Sequence, residues 1–173
     1  MSRLQFRLEA QASGSRARAG RFRTLHNEVL TPLFMPVGTH ATVRAQRLES
    51  VLDSGSQILL ANTYHLLLRP GPEVFRKFGG IHGFMKWPKS VLTDSGGFQI
   101  FAMPNDRNMS EEGARFLSYV DGKHILLTPE RSIETQKAIA SDIMMVLDQC
   151  VPSTVEEAEA RAAMELSCRW ALR

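Results

Sequence analysis

Residues 90–99 read Ser90-Val91-Leu92-Thr93-Asp94-Ser95-Gly96-Gly97-Phe98-Gln99. A short apolar, β-branched run ends in a carboxylate, a hydroxyl, two glycines, an aromatic ring and an amide. Polar chemistry at the end of a buried strand is the pattern of an α/β barrel, whose sites gather at the C-terminal ends of its strands. Asp94 can act on a proton or stabilise a cation. Gly96 and Gly97 allow a sharp turn and a close approach of backbone to ligand. Phe98 offers a flat face to a flat ligand. The same residues are also good turn chemistry, so Thr93 to Gln99 alone reads as either a turn or a site.

The flanking sequence repeats the pattern. Gln57-Ile58-Leu59-Leu60-Ala61 is an apolar strand whose end carries Asn62-Thr63-Tyr64-His65. Thr31 to Gly38, bracketed by prolines, reads as a buried strand at a barrel mouth. Asp142 to Leu147 is a further buried strand and ends in Asp148-Gln149-Cys150. Helices are expected between them. One spans Arg47 to Leu52 and stops at Ser54-Gly55; another spans Pro72 to Phe78 and stops at Gly79-Gly80. A third is capped by Thr128, starts at Pro129 and runs to about Ala140. Ser153 or Thr154 is expected to cap a last long helix from Val155 onward.

Strands alternating with helices argue for a parallel sheet with crossover helices. Two antiparallel features stand apart. Leu4 to Ala10 alternates apolar and polar, Ser13-Gly14-Ser15 turns, and Ala17 to Leu25 returns. Arg115 to Val120 and Lys123 to Leu127 flank Asp121-Gly122, the signal of a hairpin with a type I′ turn. The expected class is therefore α/β: a β-hairpin region over 1–30, then the first half of a (β/α)8 barrel over 31–173 with a hairpin inserted at about 114–127. Four strand–helix units are half of an eight-stranded barrel, which takes about 250 residues in full. A half barrel leaves strand edges unpaired, so a covering partner and an oligomer are expected.

The chain has 173 residues, enough for one domain with a core. Its apolar content of 43% and charged content of 23% are those of an ordinary soluble globular protein and exclude a disordered one. No apolar run reaches transmembrane length, and Met1 to Phe6 lacks the apolar segment of a signal peptide. No membrane association and a cytoplasmic location are expected. Cys150 and Cys168 make no disulfide framework and no CxxC, which suits a reducing compartment and argues against a metal site in this chain. The net charge is +3, and Arg16, Arg18, Arg21 and Arg23 lie within eight residues. They read either as a solvated hairpin face or as a grip on phosphates, an interaction blind to sequence.

Asp94 and Asp148, on different strand ends, could together read a purine edge, because a carboxylate accepts from an N–H and an exocyclic amine at once. Asp can also do acid–base or nucleophilic work. Each aspartate could instead cap the helix that follows it.

These residues, taken together, resemble the N-terminal half of a tRNA-guanine transglycosylase (queuine tRNA-ribosyltransferase). The matching pieces include Thr31 to Thr39, Asn62 to Leu66, Leu68 to Gly71, Gly79 to His82, Leu92 to Gln99, Ser110 to Gly113, Pro129 to Ser132, Ser141 to Ile143 and Leu147 to Cys150. They run in family order from about residue 16 onward. The family exchanges guanine at the tRNA anticodon wobble position for a 7-deazaguanine, prequeuine or queuine, on a (β/α)8 barrel with a zinc-bearing C-terminal insertion.

The resemblance implies roles. Asp94 matches the proton acceptor. Ser95, Gly96, Gly97 and Phe98 match the base-binding stretch, with Phe98 stacking on the base. Asp148 matches the aspartate that reads the guanine edge. Asn62 and Gln99 match polar supports around the ribose and Asp94, and Val37 and Leu60 match apolar wall positions. Cys150 lies beside the base pocket, where a small buried hydrophobe would serve equally.

The implied mechanism is double displacement through a covalent ribosyl intermediate. The family's nucleophilic aspartate and its cysteine-rich zinc motif have no counterpart in these 173 residues. No cofactor is expected in this chain, and zinc is expected in the C-terminal half. The expected partners are tRNA, the guanine or 7-deazaguanine base, and a complementary C-terminal half or subunit. A non-catalytic tRNA- or base-binding partner and a purely structural protein are the competing readings. Retention of both Asp94 and Asp148 favours the enzyme.

Overall fold

The structure, a computed structural model, describes residues 4–103 and 107–173. Residues 1–3 and 104–106 lie outside the described residues. In chain order the elements are β1 (Gln5–Gln11), β2 (Arg18–Arg23), β3 (Glu28–Thr31), α1 (Leu48–Asp53), β4 (Ile58–Ala61), α2 (Thr63–Leu68), α3 (Pro72–Lys77), α4 (Ile81–Met85), β5 (Ser90–Thr93), α5 (Gly97–Ala102), β6 (Arg107–Met109), β7 (Ala114–Leu117), β8 (His124–Leu127), α6 (Pro129–Ile139), β9 (Ile143–Met144) and α7 (Glu157–Ala171). The fold is mixed α/β, and the described residues form three three-stranded sheets.

The first sheet is antiparallel, in the order β1-β2-β3. The expected hairpin pairs Arg7 with Arg21 and Gln11 with Arg18. Strand β3 extends it, and its four residues are too few to show alternation in sequence. Alternation along β2 sends Arg21 and Arg23 to one face and Arg18 to the other, so the arginine cluster is divided. Arg21 donates to both Glu9 and Glu28, which also relieves its repulsion with Arg7 across the ladder.

The second sheet is parallel, in the order β4-β5-β9. Ile58 pairs with Ser90 through to Ala61 with Thr93, and Leu92 pairs with Ile143. The expected strand over 31–38 shortens to one parallel bridge between Val37 and Leu60. Pro32 and Pro36 have no N–H to give a ladder, so pairing survives only through Leu60 N to Pro36 O (3.0 Å) and Gly38 N to Leu60 O (2.7 Å). The expected strand over 142–147 shortens to Ile143–Met144. Met144, Met145 and Val146 are exposed, with no strand beyond β9 among the described residues.

Helices cover this sheet. Leu59, Ala61 and Val91 pack with Leu66, Phe75, Ile81, Trp87 and Ile139 in one core cluster. Tyr64, Ile100, Phe116, Leu127, Leu147 and Trp170 form a second, toward the strand ends. Helices α2, α4 and α5 have five or six residues each, too short for a helical period to declare itself.

The third sheet is antiparallel, in the order β6-β7-β8. It contains the expected hairpin with one strand added. Its turn is not type I′. That turn needs positive φ at both central residues, and of Asp121 and Gly122 only Gly122 has it, at 69°. The loop is wider, closed by Ser118 N to Lys123 O (2.8 Å) and Gly122 N to Ser118 O (2.9 Å), so Tyr119 and Val120 belong to the loop.

Helix α6 starts as expected: the Thr128 hydroxyl accepts from Arg131 N at 3.1 Å. Helix α7 does not. Its N-cap is Glu156, without a side-chain cap. Pro152 to Val155 closes a separate turn (Val155 N to Pro152 O, 3.3 Å), which takes up Ser153 and Thr154.

Candidate functional site: a carboxylate cradle at the strand ends

Asp94 follows β5 directly, and its backbone N–H continues the ladder to Ala61 O at 3.1 Å. Its carboxylate meets four donors. Oδ1 accepts from Thr63 N (2.8 Å) and Gly96 N (3.2 Å). Oδ2 accepts from the side-chain amides of Asn62 and Gln99, the latter at 3.0 Å. The Thr63 hydroxyl donates to the Asp94 carbonyl. The two oxygens therefore differ: fixed backbone groups hold Oδ1, and rotatable amides hold Oδ2. The Gln99 amide oxygen is buried without a hydrogen-bond partner among the described residues. Such an orphan acceptor is costly unless a ligand supplies its donor.

Asp148 lies across the same turn. Its Oδ1 accepts from the Ser95 hydroxyl (2.7 Å) and its Oδ2 from the Cys150 thiol (3.2 Å). One bond per oxygen leaves a further acceptor position on each. Gly96 turns the chain with φ of 90°. Gly97 has a different task. A Cβ there would stand 2.4 Å from the Asp148 carbonyl oxygen and 2.6 Å from Asp148 Oδ1, so glycine is what lets the Asp148 backbone come this close. The close approach made by this glycine in the structure is to Asp148.

Helix α6 locks the arrangement with a polar buried face. Ser132 donates to the Ser95 carbonyl at 2.8 Å. The Gln136 side chain bonds Met145 N and O, both at 2.9 Å, and accepts from the Thr93 hydroxyl at 2.8 Å. It is fully buried. One amide thus joins β5 and the residue after β9 to α6, one residue before Asp94 and three before Asp148.

Asn62, Asp94, Ser95, Gly96, Gly97, Gln99 and Asp148 are accordingly brought together. Phe98 makes no part of this network. It is 59% exposed, with Phe101 6.3 Å away centroid to centroid, so ring surface remains free. Val37 and Leu60 meet in their bridge. Among the described residues, the helix-starting backbone groups that donate to these aspartates are Thr63 and Gly96, both to Asp94. Thr63 and Ser132 are conspicuous in sequence only as parts of their motifs, and Gln136 not at all; sequence alone gives none of them a role. The Ser-x-x-x-Gln spacing of Ser132 and Gln136 along α6 carries no signal until the strand ends beside it are known.

Cys150 is a donor, not a nucleophile. Burial pushes its thiol up to about 12, and the Asp148 carboxylate beside it adds to the rise. Because only the thiolate reacts, iodoacetamide at pH 8 should label exposed Cys168 and spare Cys150. Peptide mass spectrometry reads the ratio, and equal labelling would show that the Cys150–Asp148 bond does not form.

Among the described residues one group has a composition that could hold a metal ion: His26, His82 and Asp142. Its donor atoms are already engaged. Asp142 Oδ1 accepts from Leu25 N (3.1 Å) and His26 Nδ1 (2.7 Å). Oδ2 accepts from Val91 N (2.9 Å) and lies 3.3 Å from His82 Nε2, which also reaches Lys89 O at 2.9 Å. The imidazoles stack face to face, 3.6 Å apart and 12° from parallel. Rings so stacked cannot both aim an in-plane lone pair at one ion between them. The group is a clasp that ties the β2–β3 loop and α4 to the starts of β5 and β9. Burial pushes the Asp142 carboxyl up, but the His82, His26 and Val91 hydrogen bonds outweigh it and hold it well below the usual carboxylate range. The clasp lies at the N-terminal ends of the parallel strands, opposite Asp94.

Comparison with known proteins gives one answer. A family model described as queuine tRNA-ribosyltransferase matches residues 13–173. A queuine tRNA-ribosyltransferase of Thioalkalivibrio sulfidiphilus is 50% identical over 167 residues, covering 96% of this chain and 45% of the relative. That of Caulobacter vibrioides is 50% identical over 169 residues, 97% of this chain and 46% of the relative. That of Desulforudis audaxviator is 50% identical over 168 residues. The chain spans about half the length of the curated relatives it matches.

Proposed function

The chain belongs to the queuine tRNA-ribosyltransferase family, and from that premise we propose that it carries the base-binding and proton-accepting part of a tRNA-guanine transglycosylase. The reaction replaces guanine at the anticodon wobble position by a 7-deazaguanine. The segment at 31–38, β4, β5 and β9 are taken as successive strands of a (β/α)8 barrel. Their sequential parallel order supports this, as does the gathering of polar groups at their C-terminal ends. The β1-β2-β3 sheet lies outside the barrel, and β6-β7-β8 is an insertion.

The observation that carries the proposal is the Ser95 bridge: one hydroxyl joins the Asp94 turn to Asp148 in the segment that follows β9. The two free acceptor positions of Asp148 match the N–H and exocyclic amine of a guanine edge. The exposed ring of Phe98 supplies a stacking face. Asp94 takes the proton at Oδ2, because the Asn62 and Gln99 amides can rotate away while the backbone donors on Oδ1 cannot. A wobble base must leave the anticodon stack to reach this position. The attacking carboxylate at the ribose comes from outside these residues.

Zinc chemistry does not fit this chain: the Cys150 thiol is committed to Asp148 and Cys168 is exposed elsewhere, on α7. No step of the reaction is assigned to a metal here. The partners are tRNA, the purine or deazapurine base and a complementary C-terminal polypeptide, in an oligomer of the cytoplasm. Among the described residues no helix is long and apolar enough to cross a membrane.

The test is exchange of radiolabelled guanine into tRNA. The purified chain alone should exchange none, and a mixture with a complementary C-terminal half should exchange it. Exchange by the chain alone would mean that a nucleophile among its own residues had been overlooked.

A further inference from the structure

Three aromatic side chains from three separate segments meet beside Asp94. His65 lies in the first turn of α2, His40 in the loop after Gly38, and Tyr119 in the loop between β7 and β8. The Tyr119 hydroxyl is 3.1 Å from His65 Nδ1 and 3.4 Å from His40 Nε2. The Tyr119 ring stacks on buried Tyr64 at 6.0 Å and 28°. The two imidazoles are 4.9 Å apart. A hydroxyl has one proton to give. The shorter contact is where it goes, so Tyr119 donates to His65 Nδ1 and accepts from His40 Nε2–H. That order leaves the proton of His65 on Nε2, which none of the described hydrogen bonds engages.

We propose that Tyr119, backed by His40, is a positioning residue that holds His65 as the neutral Nε2–H tautomer, so that His65 presents one N–H donor to an oxygen of the nucleotide bound at Asp94. The assignment rests on the base-exchange reading for its ligand and on geometry alone for its hydrogen-bond chain. Its chemistry is consistent on every side. Burial lowers the pKa of His65, His40 lowers it further, and Asp94 pulls the other way, with a net shift toward the neutral ring. The groups facing it are His40, Asp94, Tyr64 and Tyr119. A neutral ring gives a direction to its hydrogen bond only if something selects the tautomer. The Tyr119 hydroxyl is the group placed to do so.

The test uses this chain, labelled with 15N-histidine, and follows the ring nitrogens by long-range proton–nitrogen correlation through a pH titration. His65 should show protonated Nε2, an acceptor-type Nδ1 and a midpoint below 6.5. Tyr119→Phe keeps the ring on Tyr64 but removes the hydroxyl, which stabilises the neutral form. The His65 midpoint should therefore rise and its Nδ1 signal lose the hydrogen-bonded shift. His40→Ala, at an exposed position, should also raise the midpoint, because His40 lowers it. In the mixture with a C-terminal half, Tyr119→Phe should raise the KM for tRNA up to about tenfold, the worth of one lost hydrogen bond, with a smaller change in kcat. A protonated Nδ1 on His65, or a midpoint unmoved by both substitutions, overturns the proposal. A mixture that exchanges no guanine counts against the base-exchange reading, and the titration then decides the Tyr119 assignment by itself.

Discussion

Asp94→Asn should remove guanine exchange while leaving the chain folded. The loss expected is that of a general acid–base group, roughly 10²–10⁴-fold, measured in the mixture with a C-terminal half. The fold should survive because of how the four donors divide. An asparagine can keep its oxygen toward the two fixed backbone donors, Thr63 N and Gly96 N. Its new NH2 then faces the Asn62 and Gln99 amides, and both can flip to present oxygen. For Gln99 this also engages the amide oxygen that is otherwise orphaned. Thermal unfolding close to that of the unsubstituted chain, with exchange gone, is the expected pair of results. Full exchange by Asp94→Asn would remove this carboxylate from the chemistry.

Asp142→Asn should do the reverse, lowering stability by about 3–5 kcal/mol, as for a buried charge whose partners are left behind. Each of its oxygens meets a fixed backbone donor, Leu25 N on one and Val91 N on the other. Whichever way the amide is turned, its NH2 opposes one of them. The side chain is wholly buried, so water cannot compensate. Such a loss is a large part of the 5–15 kcal/mol typical of a domain. Should Asp142→Asn fail to fold, His26→Ala removes a single donor and should cost about 1 kcal/mol.

The pH dependence follows from the sign of the shift. Asp142 has an ordinary carboxylate value of 3.8 and is held below it in the folded chain. Its contribution is fully present above about that value and is lost as pH falls through the depressed folded one. Denaturation curves of the two proteins should therefore converge in acid. A gap that stayed constant from pH 7 down to pH 2 would show that the charge of Asp142 plays no part.

These two aspartates show where sequence reading stops. Asp94 announced itself, because a carboxylate between an apolar run and two glycines is conspicuous along the chain. Asp142 did not. It read as the first residue of a strand, and its partners lie 116 and 51 residues away along the chain. The hairpin turn failed similarly: Asp121-Gly122 is a strong local signal, but Tyr119 and Val120 are drawn into the loop, where Tyr119 stacks on Tyr64 and reaches His65. The cap at Ser153 or Thr154 lost to a separate turn closed by Val155 and Pro152.

What the amino-acid order determined by itself is local and periodic. It set the alternation of strands and helices, the N-terminal hairpin, the Thr128 cap, and the placing of Asn62 and Asp94 at strand ends. Those follow from side-chain spacing and backbone preference, which act over a few residues. Tertiary structure decided the rest: that Gly97 makes room for Asp148, that Gln136 ties β5 and the end of β9 to a helix, that side-chain amides meet Oδ2 of Asp94 while backbone donors meet Oδ1, and that Tyr119 meets two histidines. Each of these depends on groups remote in sequence reaching hydrogen-bond distance, and only the packed chain sets those distances.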